Sequence, residues 1–118
     1  RVVGVGSSHG DDRVGWLVVE QLAASWIDRA CETGPTIDLA VLADPLGLID
    51  QIDDGDALIV VDACRSGRPA GTVIDATWNE LRGGGEGGEA GDSSEASSHG
   101  LGVVSALRLA EALGRIQA

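Results

Sequence analysis

Residues 57–61, Ala-Leu-Ile-Val-Val, form an unbroken apolar run rich in β-branched side chains, and the run closes on Asp62. A strand that alternates apolar and polar residues can lie on a surface. One that is apolar throughout needs cover on both faces, the situation of a central strand in a parallel sheet flanked by helices. The segment 56–64 is therefore expected to be the central strand of an α/β fold. A carboxylate at the tip of such a strand is costly to bury unless it is paired or bound to a metal. Ligands in open parallel sheets bind outside the carboxyl ends of the strands. Position thus favours a functional Asp62 over one that only caps the following Arg65-Ser66-Gly67 turn.

The rest of the chain fits the same class. Residues 1–6 read as a short buried strand ending on glycine. Residues 11–30 read as a helix, with Val14, Leu17, Val18, Leu22 and Trp26 at the 3.6-residue period and Gln21 and Ser25 at the border of that stripe. A second strand is expected over 37–42, and a turn with a short helix over 44–52. Residues 65–71 read as a turn and 72–78 as a further strand, pairing at an edge or in a hairpin. The Gly/Glu/Ser-rich stretch 82–98 lacks apolar periodicity and reads as a flexible loop. Residues 99–116 read as a mostly buried helix with a narrow polar stripe of Ser105, Arg108, Glu111 and Arg115, capped by Ser98 and with His99 in its first turn. This order of elements implies a single domain over 1–118, an α/β/α three-layer sandwich with a mainly parallel twisted sheet.

Composition excludes several function classes. The formal net charge is −11 and every basic residue is arginine. With no basic stripe and few aromatic side chains, no nucleic-acid partner is expected. The apolar runs are far too short to span a bilayer, so no membrane partner is expected either. The chain opens directly on a strand pattern rather than a signal peptide. Cys31 and Cys64 are too few for a disulfide framework and lack CxxC spacing. The expected compartment is the reducing cytoplasm.

Three further positions carry chemistry. The segment Gly4-Val5-Gly6-Ser7-Ser8-His9-Gly10 resembles a dinucleotide-binding turn only loosely, and Asp11 and Asp12 would repel a phosphate at the helix start. Capping accounts for one aspartate there. The second is free to point into the cleft as a hard oxygen ligand. His99 would open a buried helix behind a flexible loop, where an imidazole suits a metal ligand and otherwise only bonds locally. Asp12, Asp62 and His99 together would make a site of two carboxylates and one imidazole, leaving coordination positions open for water or substrate. His9 is expected to be exposed or to lie just behind that site.

Three blocks resemble the hydrogenase maturation proteases. Val2–Leu22 resembles the family's opening G-x-G-N…(D)-(D/E)-x-x-G block, Asp56–Val73 its V-D-A…G…P-G-T block, and Ser97–Gly114 its S-x-H-x-x-G-L helix start. The resemblance implies a nickel-dependent endopeptidase that removes the C-terminal extension of a nickel-loaded nickel–iron hydrogenase large subunit. It implies Asp12, Asp62 and His99 as both the metal ligands and the catalytic residues, with nickel belonging to the precursor. Other divalent ions would substitute in crystals. The precursor is then the partner. The alternative is a non-catalytic relative that binds nickel or the hydrogenase as a maturation chaperone. Where the family has Asn, this chain has Ser7, in a loop one residue shorter. Where the family has D-G-G-T, it has Asp44-Pro45-Leu46-Gly47, with Asp44 the residue expected to keep its role. The family's final strand and helix have no counterpart before Ala118. That would leave a sheet edge uncovered for a homo-oligomer to use.

Overall fold

In the computed structural model the centre of the sheet is the chain's first strand. Val2–Val5 forms β1, buried along its whole length. It pairs in parallel with β2 (Leu39–Leu42) on one side and β3 (Ile59–Val61) on the other, giving the order β2-β1-β3. The structure describes residues 1–27, 37–65, 67–83 and 102–116, and it leaves the side chains of Trp26 and Ile27 undescribed. The segment 56–64, expected at the sheet's centre, is reduced to a three-residue strand at its edge, with Ile59 58% exposed. Its apolar run signals burial on two faces, but among the described residues β3 has one neighbour strand, and Ile59 faces an incompletely filled space.

Side chains alternate across a strand, and the lateral partners Val2, Leu39 and Ile59 share a row. On that face lies α1 (Val14–Ile27). The contact is made by backbones: a Cβ on Gly4 would collide with the Gly15 carbonyl and reach 3.0 Å from Val19 Cγ2. The apolar stripe read from periodicity is therefore displaced. Gly15 and Val19 are buried, whereas Val14 and Leu17 are 43% and 41% exposed. Hydropathy periodicity does not register glycine as a contact residue, although a missing side chain is what lets helix and strand touch. Beside this contact, Val2, Val18, Leu22, Ile37, Leu39, Ile59 and Val61 line a wholly apolar cavity of about 350 Å³.

The alternate residues Val3 and Val5 pack with Leu48, Ala106 and Leu107 as the main core. Leu48 begins α2 (Leu48–Gln51), which follows a 3-10 turn at Pro45–Gly47, as the turn-plus-helix reading of 44–52 expects. Ala106 and Leu107 belong to α4 (Val103–Ala112). This helix begins at Val103, with Gly102 as its N-cap. It is less buried than its narrow polar stripe implies, since Leu109 is 40% exposed and the C-cap residue Leu113 61%. It ends in a Schellman cap: Arg115 N–H donates to the Ala110 carbonyl at 2.8 Å, and Gly114 adopts φ +74°, a conformation that favours glycine. The expected cap Ser98, His99 and most of the 82–98 loop lie outside the described residues.

The strand expected over 72–78 is absent. Val73 is 90% exposed, and residues 72–77 run without strand pairing. The segment ends instead at a helix start, α3 (Trp78–Gly83). Thr77-Trp78-Asn79-Glu80 is a capping box. The Thr77 N–H donates to Glu80 Oε2 at 2.7 Å, and the Glu80 N–H donates to Thr77 Oγ1 at 3.3 Å. The Thr77 backbone N–H, and then its hydroxyl, hold the Glu80 carboxyl below its ordinary range. The T-x-x-E spacing is the signal in the sequence that marks this helix start. The fold is thus mixed α/β, built on a small parallel sheet. Among the described residues no helix is long and apolar enough to cross a membrane.

Candidate active site

The order β2-β1-β3 places a topological switch between β1 and β3, because the chain leaves β1 toward one side and later returns on the other. Crevices outside the carboxyl ends at such a switch are where open parallel sheets bind ligands. β1 runs into the loop that carries Asp12, and β3 runs directly into Asp62. The two carboxylates expected from sequence thus flank the switch.

Local bonding accounts for the position of Asp12. Gly6 N–H continues the ladder by donating to the Leu42 carbonyl at 3.0 Å. The loop then closes on itself, with Ser7 N–H donating to the Asp12 carbonyl at 3.1 Å and His9 N–H to Ser7 Oγ at 3.3 Å. A Cβ on Gly6 would collide with the Asp12 carbonyl, so Asp12 sits directly over the strand end. Ser7, which stands where the family pattern has Asn, serves this loop through both its backbone and its hydroxyl.

Asp11 and Asp12 occupy the first turn of a 3-10 helix, Gly10–Arg13, that leads into α1. His9 holds the N-cap position, and no side chain caps this turn. Capping therefore does not explain the acidic pair. Asp12 is half-buried, and Asp11 and His9 are exposed, as expected for His9.

Asp62 retains much of its surface in water, yet its carboxyl is perturbed. Partial desolvation pushes its pKa from the ordinary 3.8 up to about 6. A hydrogen bond from the Ala63 backbone opposes the shift, and the negative charge of Asp12 adds to it. The Asp62 carboxyl thus feels the repulsion of Asp12, as the smallest of the three causes. A divalent cation between them would relieve it, and carboxylate oxygens are suitable donors for such an ion.

The third residue expected there, His99, lies outside the described residues. Among the described residues no group of three His, Cys, Asp or Glu side chains could hold a metal ion. Cys64 is exposed and free.

Asp44 lies two residues beyond the end of β2, at the same edge of the sheet. Its Oδ1 accepts from Leu46 N–H at 3.0 Å, capping the turn that leads to α2. Asp44→Ala is expected to lower stability by about 1 kcal/mol in chemical denaturation, the usual loss for an Asp cap. Asp44→Asn should retain most of it.

Sequence reasoning missed Trp16. Its indole N–H donates to the Leu42 carbonyl at 3.1 Å. No sequence pattern marks a helical tryptophan as a polar contact, and periodicity gave it no role. Comparison of the chain with protein-family models, with curated proteins and with solved structures finds no match.

Proposed function

We propose that this chain is an endopeptidase of the hydrogenase maturation type, which removes the C-terminal extension of a nickel-loaded large-subunit precursor. The observation that carries this reading is that Asp12 and Asp62 follow the two strands that flank the β1/β3 switch, where the Asp62 carboxyl is raised to about 6. The sequence blocks that resemble the family contribute the same two residues. The finer fold reading, an α/β/α sandwich, is supported by α1 packing on the Gly4 row while α2 and α4 pack on the Val3 and Val5 row.

In this reading nickel arrives as part of the substrate. Asp12 and Asp62 present anionic oxygens to it, and His99 adds a nitrogen donor. The scissile peptide is thereby held beside the carboxylates. In this reading water attacks directly, with no covalent enzyme intermediate. Its oxygen bonds to the scissile carbonyl carbon while a carboxylate of the pair takes its proton. The carbon–nitrogen bond then breaks as that proton passes to the leaving nitrogen. Before a cation engages it, Asp62, with a pKa of about 6, is ionised at neutral pH and is a stronger base than an ordinary aspartate.

The test is incubation of the chain with nickel-loaded and nickel-free precursor, followed by mass spectrometry and a pull-down. Cleavage of the nickel-loaded form alone supports the proposal. Binding without cleavage supports the non-catalytic chaperone alternative. Neither binding nor cleavage overturns both.

A further inference from the structure

One turn of α1 touches the last residue of every strand in the sheet. A Cβ on Gly15 would fall inside contact distance of the Val5 carbonyl and reach 2.6 Å from the Val61 carbonyl. The next residue, Trp16, donates to the Leu42 carbonyl. Val5, Val61 and Leu42 are the terminal residues of β1, β3 and β2. The Leu42 oxygen receives Gly6 N–H as well, and Trp16 Cδ1 would lie 3.9 Å from a Cβ on Gly6. The indole therefore lies beside the point where the Asp12 loop leaves the sheet.

The two contacts act differently. The Gly15 contact is steric and lies on the β1 and β3 side: it sets how close α1 comes to those strands but leaves the helix able to tilt about that point. Tilting would move Asp12, four residues before Trp16, relative to Asp62. The Trp16 bond is directional and lies on the other side of β1, so it removes that freedom. Trp16 is half-buried, and its indole N–H spends its one donor on a strand-end carbonyl rather than on water.

We propose that Trp16 is a positioning residue, whose indole bond to the Leu42 carbonyl holds the first turn of α1 so that Asp12 stands opposite Asp62. Its effect on catalysis rests on the function proposed above, whereas its effect on the turn does not. Trp16→Phe keeps an aromatic ring and removes the N–H. Amide hydrogen exchange at Ser7, which bonds the Asp12 carbonyl, should then accelerate about fivefold, the usual net value of one hydrogen bond. Exchange at Val3 should stay unchanged. With nickel-loaded precursor, kcat should fall roughly tenfold or more with little change in KM, because misplacing a reacting group is costly.

Val19→Ala is the control, since Val19 is 6% exposed on the same helix, one turn beyond Gly15, and packs on Gly4 rather than on the Asp12 loop. It should lower the melting temperature and leave kcat alone. Unchanged Ser7 exchange in Trp16→Phe would overturn the proposal, as would an equal loss of kcat in Val19→Ala. If the wild-type chain cleaves nothing, the functional reading falls, and the Ser7 exchange still decides whether Trp16 holds the turn.

Discussion

Asp62→Asn is expected to slow cleavage of the nickel-loaded precursor by about a thousandfold, a loss of about 4 kcal/mol of transition-state stabilisation, while leaving the fold intact. Asparagine matches aspartate in shape but carries no charge, so it can neither attract a cation nor take a proton from water. The same substitution should stabilise the protein at neutral pH. In the folded chain Asp62 has a pKa of about 6 against an ordinary 3.8. Between those values the folded state holds a proton that the unfolded state has released, so stability falls as pH rises through this window. Ionised Asp62 is thus a cost that is fully present above about pH 6 and absent below the ordinary value. After discounting for its exposure and for solvent screening, the cost is about 1 kcal/mol. Melting curves of wild type and Asp62→Asn should therefore nearly coincide near pH 3.5 and separate toward pH 7, with the variant the more stable. A variant that loses activity and is less stable at pH 7 would mean that Asp62 is a structural residue.

Gly15→Ala is expected to destabilise the chain by about 3 kcal/mol, the upper range for forcing extra volume into a packed site. Alanine is the better helix former, so propensity alone predicts the opposite sign, a gain of nearly 1 kcal/mol. The added methyl would meet the carbonyl oxygens of Val5 and Val61, and backbone cannot turn aside as a flexible side chain can. α1 must lift from β1 and β3 together, and Asp12 moves with it. Gly4→Ala should behave similarly from the strand side, since its methyl would meet the Gly15 carbonyl. Chemical denaturation provides the check. A stabilised Gly15→Ala protein would show that α1 does not press on the strand ends.

These glycines also show why the sequence could be read only in part. Strand and helix existence followed from period and composition, and β1, α1, β2 and α2 stand close to where those patterns put them. The apolar run at 57–61 revealed a strand but neither its burial nor its place in the sheet, because both depend on neighbours far away in the chain. The extended Thr72–Ala76 segment had the residue types of a strand, but pairing is not a local property. The face of α1 was misplaced because contact was made where side chains are missing. The placement of Asp12 and Asp62 at one edge of the sheet was legible because each follows the end of a recognisable element and the carboxyl edge of a parallel sheet collects such ends. Trp16 was not, because its role depends on a carbonyl of β2 that becomes its neighbour only on folding.

The most direct measurement is crystallography of the full chain soaked with Ni²⁺, with anomalous data collected at the nickel edge. The account predicts one ion at the β1/β3 switch, ligated at about 2 Å by carboxylate oxygens of Asp12 and Asp62 and by the imidazole of His99. Nickel bound elsewhere, with the Asp12 and Asp62 carboxylates more than about 10 Å apart and so beyond any shared coordination shell, would contradict it.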